Sequence, residues 1–289
     1  MNKIITAAVA AIGIAASAPA SAIIVGGIDF GAGGTISHIE TATLAETFVD
    51  SAGQTLSGYG LITSVNSDTT YCADNTSNCA LYYTFTYTVS GFSANQVTFS
   101  GGVVDIYYDA NPALLMFDND SPTNLGLIAA MDPWVRLNGH LFSDTFFNLI
   151  DAAFGDLLPD TYVLNGAGTL TGASLTQNGA GLLDVDTSGA FGLASVAAYL
   201  DGNSEPDGLG GFADVTISSE SNSSQLNPLD IANGFADSCG TATPQYGDWC
   251  LQGTLSTRGA TVVPEPAALA LLGIGLLGLG IARRNKKRA

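Results

Sequence analysis

Apolar and polar positions alternate most regularly over residues 81–89, where Tyr83, Phe85, Tyr87 and Val89 fall on one side and Tyr82, Thr84, Thr86 and Thr88 on the other. A period of two in aromatic and β-branched residues predicts a half-buried strand. Residues 97–100 and 103–108 continue the pattern on either side of Gly101-Gly102, which reads as a hairpin turn or a bulge. Weaker strands are predicted at 55–65, 162–175, 182–185, 195–200, 213–219 and 253–263, separated by Gly, Asn and Asp. One stretch has helical spacing instead. Phe142, Phe146, Leu149, Ile150 and Ala153 recur behind Ser143 as an N-cap, with Gly155 as a stop, and predict a short amphipathic helix. The pattern as a whole predicts a mainly β chain: an antiparallel β-sandwich or jelly-roll-like domain with one or two short helices. It lacks the regular internal repeat of a solenoid or propeller.

The two ends of the chain follow a different logic. Lys3 opens a short positive region, residues 4–16 are apolar and small, and Ala20-Ser21-Ala22 offers a small-x-small cleavage site. Residues 1–22 are therefore expected to be a signal peptide that directs export through the Sec machinery, leaving Ile23 at the new N-terminus. At the other end Pro264-Glu265-Pro266 precedes an unbroken apolar run, residues 267–282, and then the basic group Arg283, Arg284, Lys286, Lys287 and Arg288. As an α-helix that run reaches about 24 Å, slightly short of the roughly 30 Å hydrocarbon core but workable as a transmembrane helix. The basic tail, 283–289, favours the cytoplasmic side and puts everything before Pro264 across the membrane. Two prolines keep the 264–266 strip extended and open to a protease. The residues alone fit either a permanent single-span anchor or a processed tag.

This order of proline-rich strip, greasy helix and basic end resembles the PEP-CTERM sorting signal, a tag removed by the membrane protease exosortase in bacteria whose envelopes are rich in exopolysaccharide. The resemblance covers 263–289 only. It implies processing by exosortase, an inner-membrane-anchored precursor in a Gram-negative bacterium, and a final place at the cell surface or in the extracellular matrix. The Gly273-x-Gly275-x-x-Gly278 pattern inside the run is not a dinucleotide fingerprint, since no strand precedes it and no acidic residue can follow at the required distance.

Removing both signals sharpens the charge. Of eight basic residues only Arg136 and Arg258 remain in the body, 23–262, against 25 of the 26 carboxylates, so it carries about 23 net negative charges. Direct nucleic-acid binding is excluded, because it depends on clustered Lys and Arg. Acidic polysaccharide and anionic lipid are repelled unless a divalent cation bridges the surfaces. A charge of this size also serves simply to keep an extracellular protein soluble.

Four cysteines form two local pairs, Cys72 with Cys79 and Cys239 with Cys250, each around a polar turn-forming segment. Two disulfides with that connectivity are the simplest of the three pairings and suit an exported chain. Each closes a loop worth roughly 2.5 to 3 kcal/mol on the chain-entropy model.

Chemistry has to come from carboxylates. The body has 21 Asp and 4 Glu, an imbalance that favours turns and ion sites. Asp184, Asp186 and Ser188, followed by Gly189, reproduce the first half of a calcium loop, but position 12 is Ser195 where a bidentate Glu is needed. Asp118-Asn119-Asp120 and the 201–208 segment are comparable acidic loops, expected to serve as solvated turns. No second copy accompanies the Asp186-Thr187-Ser188-Gly189 likeness to an aspartic-protease loop, and neither His38 nor His140 is tied by sequence to a nucleophilic serine. His140, after Asn138-Gly139, is expected in a loop. The resulting expectation is a non-enzymatic adhesive, structural or biofilm-associated protein whose aromatic and Thr-rich faces contact exopolysaccharide or other surface proteins. The alternative is a secreted glycoside hydrolase working through a pair of Asp or Glu carboxylates.

Overall fold

The structure, a computed structural model, describes residues 22–32, 36–73, 78–93, 96–112, 120–143, 160–166, 176–222 and 245–262. The chain opens with a small hairpin, β1 (Ala22–Val25) and β2 (Ile28–Ala32), turned by Gly26-Gly27. Both glycines have positive φ, 57° and 84°, as a two-residue hairpin turn requires. A long antiparallel sheet follows. Its strands are β3 (Ile36–Thr47), β4 (Thr55–Ile62), β5 (Ser64–Val65), β6 (Ala80–Phe92), β7 (Gln96–Asp109), β8 (Asp132–His140), β9 (Tyr162–Gly166), β10 (Thr176–Val185), β13 (Val215–Asn222) and β14 (Trp249–Ala260). Helix α1 (Ser121–Ala129) and helix α2 (Ala194–Leu200) interrupt them, as does a short pair, β11 (Glu205–Pro206) with β12 (Phe212–Ala213).

The sheet closes on itself. Hydrogen-bonded neighbours run β3-β4-β6-β7-β8-β10-β13-β14, and β14 returns to β3, giving an eight-stranded barrel-like sheet in which every pairing is antiparallel. This corrects the expected sandwich or jelly roll: one continuous sheet curls until its edges meet, where a sandwich would need two sheets packed face to face. Alternation along a strand is the same in either architecture, so the periodicity could not separate them.

The core follows from that alternation. Leu81, Tyr83, Phe85, Tyr87 and Val89 of β6 point inward and are buried. Around them lies an aromatic stack in which Tyr87 meets Tyr162 at 4.9 Å and Phe99 at 5.9 Å between ring centroids. Tyr82, on the opposite face, is also buried, because α1 covers it with Ile128 in a second cluster that includes Tyr59 and Tyr107. Asp120 caps α1 by accepting from Thr123 N at 2.8 Å, a role beyond the solvated turn expected of it. The aromatic side chains of β6 are thus spent on the core. The exposed positions of that strand are Thr86, Thr88 and Ser90.

Gly101-Gly102 is a bulge, not a turn. β7 runs through it while its register against β6 slips between the Thr86 and Thr88 pairs, and φ is 68° and 130° at the two glycines. A Cβ at Gly102 would meet the Tyr87 ring, so the site needs glycine on steric grounds too. Opposite the bulge, the stave between β7 and β10 is split: β8 pairs with one half and β9 with the other.

Residues 195–200 form α2 instead of the expected strand. Val196, Ala197, Tyr199 and Leu200 are its buried residues, a helical spacing, and a five-residue apolar run, 196–200, fits both periods. The helix expected over 142–153 lies outside the described residues from position 144 onward. Among the described residues no helix is long and apolar enough to cross a membrane; segment 267–282 lies outside them.

Candidate functional site

Both histidines of the chain sit in polar networks that join distant strands. His140 is the last residue of β8, not a loop residue, and each ring nitrogen faces a carboxylate: Nδ1 lies 2.7 Å from Asp184 Oδ2, and Nε2 lies 3.2 Å from Asp207 Oδ2. Burial disfavours the charged ring, but the two carboxylates outweigh it and raise the His140 pKa above its ordinary value. Asp207 is itself buried. Burial works against its charge, yet backbone N–H groups of Leu209, Gly211 and Gly210, together with His140, hold it down at about 2. The result is a clasp that ties β8, β10 and the 207–211 turn together. With a carboxylate at each nitrogen, the ring is best satisfied as an imidazolium and has no free nitrogen with which to activate a nucleophile.

The calcium-loop residues divide between two tasks. Asp184 is directed to His140, while Asp186 Oδ1 accepts from Ser188 N at 2.9 Å in a local turn completed by Gly189 at φ 74°. The Ser188 hydroxyl and N–H keep the Asp186 carboxyl below its ordinary range. Among the described residues no three His, Cys, Asp or Glu side chains converge as they would around a metal. Cys72 and Cys79 are joined, with S–S at 2.05 Å. Cys239 and the Cys250 side chain lie outside the described residues, as do Pro264, Glu265, Pro266 and the basic cluster 283–288.

A second network occupies the outer face of the sheet. Arg258 on β14 donates from Nη2 to His38 Nδ1 at 3.4 Å, which leaves the ring proton on Nε2, 3.0 Å from Glu40 Oε1. Ser64 donates to the other oxygen of Glu40 at 2.9 Å. Beside this fixed carboxylate lies a groove of about 450 Å³ across β3, β14, β13 and β10. Two cross-strand rows line it. Glu40, Ser256 and Ser218 form the first, the two serines 2.8 Å apart, and Thr254, Glu220 and Asn178 form the second. Sequence reading missed this site because His38 and Arg258 are 220 positions apart and become neighbours only through the β3–β14 pairing. The cue within reach was the isolated Arg258, between Thr257 and Gly259 on an alternating segment.

The barrel interior also holds a carboxyl group. Glu46, on β3, is buried, its Oε1 has no hydrogen-bond partner among the described residues, and burial pushes its pKa up to about 8. Its charge would also oppose ionisation of Tyr83 and Tyr162, the latter bonded to Ser219.

Neither a curated protein nor a solved structure matches the chain significantly. The tail does have a match: residues 262–287 fit the family model of the PEP-CTERM protein-sorting motif, which marks this chain as an exported exosortase substrate, anchored in the membrane as a precursor and then delivered to the surface.

Proposed function

We propose that the exported body is a non-enzymatic component of the bacterial cell surface or of an extracellular polysaccharide matrix, acting by adhesion, assembly or packing. The observation that carries this reading is the sorting motif at 262–287. The body's chemistry supports it. His140 is clasped by two carboxylates and His38 lies between Arg258 and Glu40, so both imidazoles are committed to holding strands together. The net charge of about 23 negative favours a dispersed protein among neutral polymers over one that binds acidic ones. Deleting the gene is expected to change cell aggregation or matrix texture while leaving secreted hydrolase activities unchanged. An unaltered matrix in the deletion strain, or release of oligosaccharides when the purified protein meets the producer's polysaccharide, overturns the reading.

A further inference from the structure

We propose that the groove across β3, β14, β13 and β10 binds a segment of non-anionic glycan, whose hydroxyl or amino groups donate to Glu40 and Glu220. The volume, about 450 Å³, lies within the roughly 300 to 1,000 Å³ of ordinary ligand sites. Four strands at about 4.8 Å spacing make it roughly 14 Å across, long enough for consecutive sugar rings.

The lining chooses the ligand class. Among the described residues its only large apolar member is Leu255 and none of the lining side chains is aromatic, so neither a flat aromatic ligand nor ring stacking is favoured. The sheet closes between β3, β14, β13 and β10, which leaves no unpaired strand edge there for an extended peptide to join. What remains is hydrogen bonding from side chains. Serine and threonine hydroxyls both give and accept, the Asn178 amide does the same, and two carboxylates only accept. That mixture matches a partner rich in hydroxyl groups. Glu40 is prepared for it: His38 and Ser64 each use one lone pair, one on each oxygen, fixing the carboxylate and leaving, among the described residues, a second lone pair on each oxygen. The two carboxylates, in a body with no lysine, reject uronates and favour amine-bearing sugars.

The test is binding of the exported protein, purified from its producer, to three probes: a deacetylated chito-oligosaccharide, a cello-oligosaccharide and an oligogalacturonate. The amino-sugar probe should bind most tightly and weaken as salt is added, the neutral probe should bind more weakly with little salt dependence, and the uronate should not bind. Ser218→Trp fills the groove and should weaken both binders by at least roughly tenfold. Glu220→Gln should weaken the amino-sugar selectively. Should Ser218→Trp fail to fold, Thr254→Arg, at an exposed position, is expected to weaken the amino-sugar by charge alone. Uronate binding equal to the others, no binding by any probe, or variants that bind like the parent refute the site. The inference rests on the matrix role proposed above, and the two fail separately. A deletion strain with altered matrix and a protein that binds none of the probes removes the groove alone; an unaltered matrix with binding intact removes the role alone.

Discussion

Replacing Glu46 by Gln should make the barrel more stable at neutral and alkaline pH, and the size of the gain can be worked out. The folded chain holds this carboxyl in its proton-bound form up to about pH 8, whereas exposed in the unfolded chain it ionises near 4.5. Below 4.5 both states carry the proton and nothing is lost. As pH rises above 4.5 the unfolded chain gains free energy by releasing a proton that the folded chain retains, so stability falls steadily until the pH passes 8. At about 1.4 kcal/mol per unit, the loss is roughly 3 kcal/mol at pH 7 and approaches 5 kcal/mol beyond pH 8. Gln keeps the shape and neutrality of the protonated acid and does not titrate. Urea unfolding of parent and Glu46→Gln from pH 4 to 9 reads the difference directly. The two should be nearly equal at pH 4 and diverge toward alkali, with the variant melting higher at pH 7 by roughly 6 to 12 °C. Repulsion within the acidic body also grows with pH, but it acts on both proteins alike, since they differ by one carboxyl. Parallel pH profiles would mean that Glu46 finds a partner or water in solution, and would refute the reasoning.

The acid side belongs to Asp207. Because its carboxyl is held at about 2, its contribution is complete above 3.8 and disappears as pH falls from there to 2; Asp207→Asn should flatten that limb of the stability curve, and an unchanged limb counts against the clasp. Opening the Cys72–Cys79 bridge by a double Cys→Ser change should lower the unfolding free energy by about 2.5 kcal/mol in denaturant titrations, with no change meaning that the loop is held by its neighbours instead. If the acidic loops organise calcium, the melting temperature should rise with millimolar calcium and drop with a chelator, by mass action; superimposable melting curves dismiss the ion.

The strands that could be read in advance are those that carry their own burial pattern. β6 was visible because Tyr83, Phe85, Tyr87 and Val89 alternate with threonines, and the bulge at Gly101-Gly102 because two glycines interrupt an otherwise continuous strand. β3 was not, because Ala45 and Glu46 both lie buried, one under α1 and the other inside the barrel, so hydrophobicity does not alternate along it. β8 hid for a similar reason: Pro133 and Gly139 look like breakers, yet they fall near the strand's two ends. The address at the C-terminus was fully legible, since its apolar run and basic end act through composition. The His38 and His140 networks were not, because each is assembled by strand pairing between positions 44 to 220 residues apart, and no local pattern encodes such a distance.

Closure of the sheet bears on how such a body behaves once delivered. A sandwich of the same strands would present edge N–H and C=O groups, which recruit neighbouring chains when protein accumulates at high local concentration. Here the eight main strands each find two partners, and the edge positions that a sandwich would leave are consumed by the β14–β3 and β10–β13 pairings. Closing the main sheet removes its edges as a route to backbone-mediated aggregation, and a net charge of about 23 negative opposes the side-chain route. In the matrix role proposed above, association with the surroundings would run through side-chain contacts on the barrel's outer face. That requirement makes the Glu40–Glu220 groove consequential: in a body insulated against sticking to itself, a weak but repeated contact with a polymer can still hold it in place, through many copies along one chain.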